Sequence, residues 1–129
     1  MFKLQICQHP TKRSRHPTLI SDWLELIAQG KAQSVHRMID MTRDLRQNGK
    51  DSRYVKHLGG PIYELKTRTP QGGARVYFFR SQTESFVLAR AEVKRENKAD
   101  DTILADVAEI IEAFENGNLN LIPPLEEQP

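Results

Sequence analysis

The chain has 129 residues with 19 Lys and Arg, 17 Asp and Glu, and one cysteine. This size fits a single domain with one core, and one cysteine excludes an internal disulfide or a thiolate zinc cluster. No apolar run approaches the roughly 20 residues that cross a bilayer, and the N-terminus lacks a signal-peptide core, so a cytoplasmic protein without membrane contact is expected.

The net charge of +2 conceals a partition. Residues 1–98 carry all 19 basic side chains and 9 acidic ones, a net of +10, whereas residues 99–129 carry 8 acids and no base. A basic body favours a polyanion, nucleic acid first, unless the acidic end folds back and neutralises it. Phe2, Leu4 and Ile6 alternate with polar residues, the pattern of a half-buried strand. Cys7 beside them reads as a small core residue or a reactive thiol. His9 to Pro17, with Lys12, Arg13, Arg15 and His16 between two prolines, is a loop that either binds phosphate or is simply solvated.

Thr18 is placed to cap a helix in which Leu19, Ile20, Trp23, Leu24 and Ile27 recur at helical spacing until Gly30. Ala32, Val35, Met38, Ile39, Thr42 and Leu45 repeat the pattern up to Gly49. The short link at Gly30 predicts an antiparallel helical hairpin lying on a sheet, with Trp23 and the methionines in its core and His36 structural or solvated. Asp51 to Pro61 reads as a connector into that sheet.

Three runs follow, Pro61–Arg68, Gly73–Arg80 and Ser85–Lys94, separated by connections so short that they predict an antiparallel meander. Alternation sends Tyr63 and Leu65 to one face and Glu64, Lys66 and Arg68 to the other. Lys66, Arg68, Arg75, Arg80, Arg90, Lys94 and Arg95 all fall in strands or at strand ends, where a scaffold fixes their spacing. Singly, each reads as part of a solvated face; together they read as a phosphate-binding surface. Next, an aspartate caps a helix over Thr102–Glu115, with Ile103, Leu104, Val107, Ile110, Ile111 and Phe114 on one face and Asp106, Glu109, Glu112 and Glu115 turned to water. The expected fold is α+β: a small antiparallel sheet of the N-terminal strand plus the three-stranded meander, with an N-terminal helical hairpin and a C-terminal helix. Residues 1–117 form the domain, and residues 118–129 are a tail, docked or disordered.

Leu58-Gly59-Gly60-Pro61-Ile62-Tyr63-Glu64-Leu65-Lys66, Gly72-Gly73-Ala74-Arg75-Val76-Tyr77-Phe78-Phe79 and Val93-Lys94-Arg95-Glu96-Asn97 resemble the RelE/HigB-like toxins of bacterial type II toxin–antitoxin systems over about residues 54–115. The resemblance implies a RelE-like fold and a metal-independent endoribonuclease that cleaves mRNA, usually on the ribosome, by turning an RNA 2′-hydroxyl onto the adjacent phosphate. It also implies restraint by a cognate antitoxin. In this match Arg75 and Arg95 correspond to arginines at the scissile phosphate and Lys66 to a lysine that positions or transfers a proton, with Arg68 and Lys94 as supporting phosphate contacts; Arg80 and Arg90 extend the RNA-binding row. The family often carries a tyrosine or histidine near the C-terminal part of its active face, whereas Asn97 to Phe114 holds neither. His57 and Glu64 are the nearest substitutes, His57 because an imidazole titrates near neutrality. No His/Asp/Glu cluster has metal-ligand spacing, and no cofactor is expected. Two other functions fit the same pattern: a ParE-like inhibitor of DNA gyrase, and a non-catalytic nucleic-acid-binding module.

Overall fold

The structure, a computed structural model, describes residues 2–8, 18–95 and 99–123; the basic loop between His9 and Pro17 lies outside them. The elements run β1 (Lys3–Gln8), α1 (Leu19–Ala28), α2 (Ala32–Asn48), β2 (Val55–Gly59), β3 (Ile62–Thr69), β4 (Gly72–Gln82), β5 (Ser85–Lys94), α3 (Asp101–Glu115) and β6 (Asn120–Ile122). The α+β class agrees with the sequence. The sheet is larger than expected, with six strands in the order β2-β3-β4-β5-β1-β6. It is also mixed, because β1 runs parallel to β5 while the other pairs are antiparallel. Two strands come from segments read otherwise: β2 from the connector before Pro61 and β6 from the tail.

Local chemistry sets the helix ends. The Thr18 side chain accepts from the Ser21 N–H while the Ser21 hydroxyl accepts from the Thr18 N–H, a reciprocal capping box that starts α1. The Asp100 carboxylate accepts from the N–H groups of Thr102 and Ile103 and starts α3. At the end of α2, Gly49 has φ +58°, and a Cβ there would collide with the Phe2 ring. Only glycine fits that junction.

The sheet is covered on both faces. On the first face, Leu65, Ala74, Val76, Phe78, Phe86 and Leu88 pack with Leu19, Trp23 and Leu26 of α1 and Val35, Met38, Met41 and Leu45 of α2. The Trp23 indole N–H reaches Met38 Sδ at 3.2 Å across the hairpin. On the second face, Cys7, Tyr77, Phe79, Val87 and Ala89 pack under Val107, Ile110 and Ile111 of α3, with Ile103, Leu104 and Phe114 half-buried around them. Two-sided coverage explains why β4 is buried without interruption from Ala74 to Phe79. Burial also pushes the Cys7 thiol up to about 12, so it is a core residue rather than a reactive thiol.

The outer face of α3 differs from expectation at one position. Glu109, Glu112 and Glu115 are exposed, but Asp106 turns to the sheet and pairs with Arg90 at 2.7 Å. Ile110 is fully buried, and burial of a side chain this size contributes about 1.5–3 kcal/mol. Ile110→Asp adds an unpaired buried carboxylate to that loss, so its thermal melt is expected to lose cooperativity. A wild-type melting temperature for this variant would mean that α3 does not depend on the sheet. Among the described residues no helix is long and apolar enough to cross a membrane.

Candidate functional site

The β3–β4 turn end of the second face is where the basic row becomes a site. Cross-strand register sets the rows: Lys66 stands opposite Arg75, which stands opposite Glu92, and Arg68 stands opposite Gly73, which stands opposite Lys94. Facing residues project to the same side of a sheet. The apolar cover of α3 lies over Tyr77, Phe79, Val87 and Ala89, so the Arg68–Gly73–Lys94 row at the far end stays open. Lys66, Arg68, Thr69, Gly72, Gly73, Lys94 and Arg95 line a concavity of about 180 Å³ there. Gly73 leaves the floor open, since a Cβ on it would stand 3.3 Å from the Lys94 carbonyl and 3.8 Å from Lys66 Cε. Arg68 and Arg95 are exposed, and Lys66 and Lys94 are half-buried.

Beneath this opening lies a buried polar layer. The Arg75 guanidinium donates to Glu64 Oε2 at 3.3 Å, and both side chains are only 1% exposed. The Tyr77 hydroxyl donates to Glu92, which also accepts from the Asp100 N–H at 3.2 Å. Burial and the hydrogen bond to Glu92 push the Tyr77 phenol far above the usual tyrosine range, so it stays a donor. Glu92 thus joins the sheet to the N-terminus of α3 just behind Lys94 and Arg95. Burial also draws the Lys66 ammonium below the ordinary lysine range; the positive charge of Arg75 adds to this, Glu64 opposes it, and Lys56 and Arg68 reinforce it.

Of the residues singled out in the sequence, the fold brings Lys66, Arg68, Lys94 and Arg95 together and sets four others apart. Arg75, expected at the scissile phosphate, lies under the surface with Glu64 and does not present its guanidinium to solvent. Arg90, expected to bind RNA, is held by Asp22 through two bonds of 2.7 and 3.2 Å and by Asp106 at 2.7 Å. Asp22 also accepts from the Ala91 N–H, so this cluster ties α1 and α3 to the edge of β5. Arg80 is exposed at the other end of β4, roughly 24 Å along the strand from Gly73, where it donates to the carbonyls of Gln82 and Thr83.

His57 lies on the wrong face for the role given to it. It stands opposite Tyr63, whose side chain packs on the hairpin face, whereas Lys66 projects from the other. Its ring stacks on Tyr63 and its Nε2 bonds the Gly60 carbonyl at 2.7 Å. The residue that the sequence reading missed is its neighbour Lys56, which stands opposite Glu64 and therefore shares the face of Lys66. Val55-Lys56-His57-Leu58 sets two polar residues side by side between apolar ones, so no alternation in the sequence marks a strand there or the face that Lys56 takes. Among the described residues no group of His, Cys, Asp or Glu is placed to hold a metal ion.

Residues 22–115, which include every residue lining the concavity, match the family described as phage derived protein Gp49-like (DUF891). The chain belongs to this family. The Gp49-like proteins are toxins of toxin–antitoxin systems, related to the RelE-like toxins, and membership implies a cognate antitoxin as partner. No curated protein matches the chain.

Proposed function

We propose that this Gp49-like chain is an endoribonuclease toxin of the RelE/HigB kind, which cleaves mRNA on the ribosome by 2′-hydroxyl attack on the neighbouring phosphate and is held in check by its antitoxin. The observation that carries this reading is the open concavity in which Lys66, Arg68, Lys94 and Arg95 converge over a buried Arg75–Glu64 pair. In the proposed reaction the 2′-oxygen bonds to phosphorus, the bond to the 5′-oxygen breaks, and a 2′,3′-cyclic phosphate remains. The phosphorane passed on the way gains negative charge, which the Arg95 and Arg68 guanidiniums and the Lys94 ammonium offset. Lys66, drawn below the ordinary lysine range, takes the 2′-hydroxyl proton in its neutral form, and that proton is then available to the departing 5′-oxygen. Arg75 acts from below the site, where its charge favours neutral Lys66. Phosphate attraction makes binding fall with salt.

Primer extension on messages after a pulse of expression tests this reading. Discrete new 5′ ends are expected with the wild type, and about a hundredfold fewer with Lys66→Ala. If Lys66 is the base, cleavage by the wild type rises with pH until Lys66 is neutral, and that rising limb is absent in the variant. DNA breaks dependent on gyrase, without new RNA ends, would assign the chain to gyrase inhibition instead; neither outcome would leave a nucleic-acid-binding module.

A further inference from the structure

The hairpin face carries a second feature that the concavity does not use. A row of aromatic rings crosses the sheet from Phe86 to Phe78, centroids 5.5 Å apart, then to Tyr63 at 5.5 Å and to His57 at 4.6 Å. Phe86 and Phe78 are buried and Tyr63 half-buried, while His57 is exposed on β2, the edge strand. The core ladder therefore surfaces as a single imidazole. That ring is stacked 27° from parallel on Tyr63 and tethered to the Gly60 carbonyl, so its position is fixed. Lys50 Nζ lies 5.6 Å from the centroid of Tyr63, the ring on which His57 stacks, and just before β2 the Arg53 guanidinium lies 4.9 Å from the Tyr54 ring and donates to its hydroxyl. The Arg37 guanidinium lies 6.0 Å from the same ring and also faces Asp40 at 3.4 Å. Among the described residues neither Lys50 nor Arg53 pairs with a carboxylate.

We propose that His57, with Lys50, Arg53 and Tyr54, forms a second RNA contact, which receives the strand as it leaves the concavity and turns round the β2 edge. Lys56, on the concavity's face of the same strand and exposed at that edge, marks the way between them. A pre-placed ring with one covered face offers the other to a nucleobase, and the ammonium beside Tyr63 and the guanidinium beside Tyr54 attract phosphates of the same strand. An acidic protein segment would use the cations but gain nothing from the ladder behind His57, so RNA is the partner this arrangement fits better. The inference rests on the reading of the concavity as an RNA site.

Binding of 2′-O-methyl oligoribonucleotides, which lack the attacking hydroxyl, separates the two surfaces. The probes are a short oligonucleotide of about 4 nucleotides, enough for the concavity, and a long one of about 16. His57→Ala is expected to weaken the long probe about tenfold and leave the short one unchanged, with His57→Tyr restoring affinity because stacking and not titration is at work. Lys50→Ala with Arg53→Ala should weaken the long probe further and reduce its salt slope by ~1.4. Equal binding of the long probe by His57→Ala and the wild type overturns the inference, as does a loss confined to a polyglutamate peptide, which would make the surface a protein dock. Unchanged short-probe binding by a Lys66→Ala, Arg95→Ala double variant would overturn the concavity reading instead.

Discussion

Arg75→Ala is expected to unfold the domain rather than disarm it. The sequence match treats Arg75 as a phosphate contact that can be removed with the fold intact, but its side chain and that of Glu64 are each 1% exposed and 3.3 Å apart. Removing one partner leaves the other as an uncompensated buried charge, at about 3–5 kcal/mol, a large share of the ~5–15 kcal/mol that stabilises a domain. Replacing both, as in Glu64→Leu with Arg75→Met, removes the desolvation penalty together with the attraction and should restore a melting temperature near that of the wild type. The double variant should still cleave poorly, because the buried positive charge beside Lys66 is gone. Thermal melts of the two single variants and the double variant test this. If Arg75→Ala melts like the wild type and loses only cleavage, Arg75 reaches substrate directly.

Arg95→Ala should behave in the opposite way. Arg95 is exposed at the rim of the concavity, and surface substitutions of this kind change stability by about 0.5 kcal/mol or less. If its guanidinium meets the phosphorane, cleavage falls by about a hundredfold or more, equivalent to ~3 kcal/mol of transition-state stabilisation. Arg80→Ala, roughly 24 Å along β4 from the concavity, is the matched control and should cleave within about twofold of the wild type. A folded Arg95→Ala protein with full activity would remove Arg95 from the site.

The contrast between Arg75 and Arg95 shows what the sequence could and could not disclose. Alternation along the meander is enough to put Lys66 and Arg68 on one face, because the period of a strand is fixed by its geometry. Depth was not legible. Whether a basic residue on that face is open depends on where α3 ends and on which acid stands diagonally across the ladder, and Arg75 with Glu64 is settled only by that pairing. Arg90 illustrates the same limit at longer range, since its partner Asp22 lies 68 positions away and no local pattern links them.

The strands that the sequence hid had simpler causes. β2 spans five residues ending in glycine and β6 three, too short for a periodic signal. Reading β2 as a connector removed the parity that places Lys56 with Lys66 and sends His57 to the other face. The parallel pairing of β1 with β5 is likewise silent in a pattern that reports which face is apolar and not which strand lies alongside. The apolar stripe of α3 was legible because six large residues repeat over the helix, and its docking on the second face follows.

The proposed chemistry, in which the open basic end of the sheet turns an RNA 2′-hydroxyl onto its own phosphate, dictates the ends of the fragments. Incubating purified protein with ribosomes and a defined message, then identifying the chemical ends of the fragments, tests it most directly. The expected ends are 2′,3′-cyclic phosphate on the upstream fragment and hydroxyl on the downstream one, with both lost in a folded Lys66→Ala, Arg95→Ala variant. Fragments ending in a 3′-hydroxyl, or the same cyclic ends produced equally by the double variant, would contradict it.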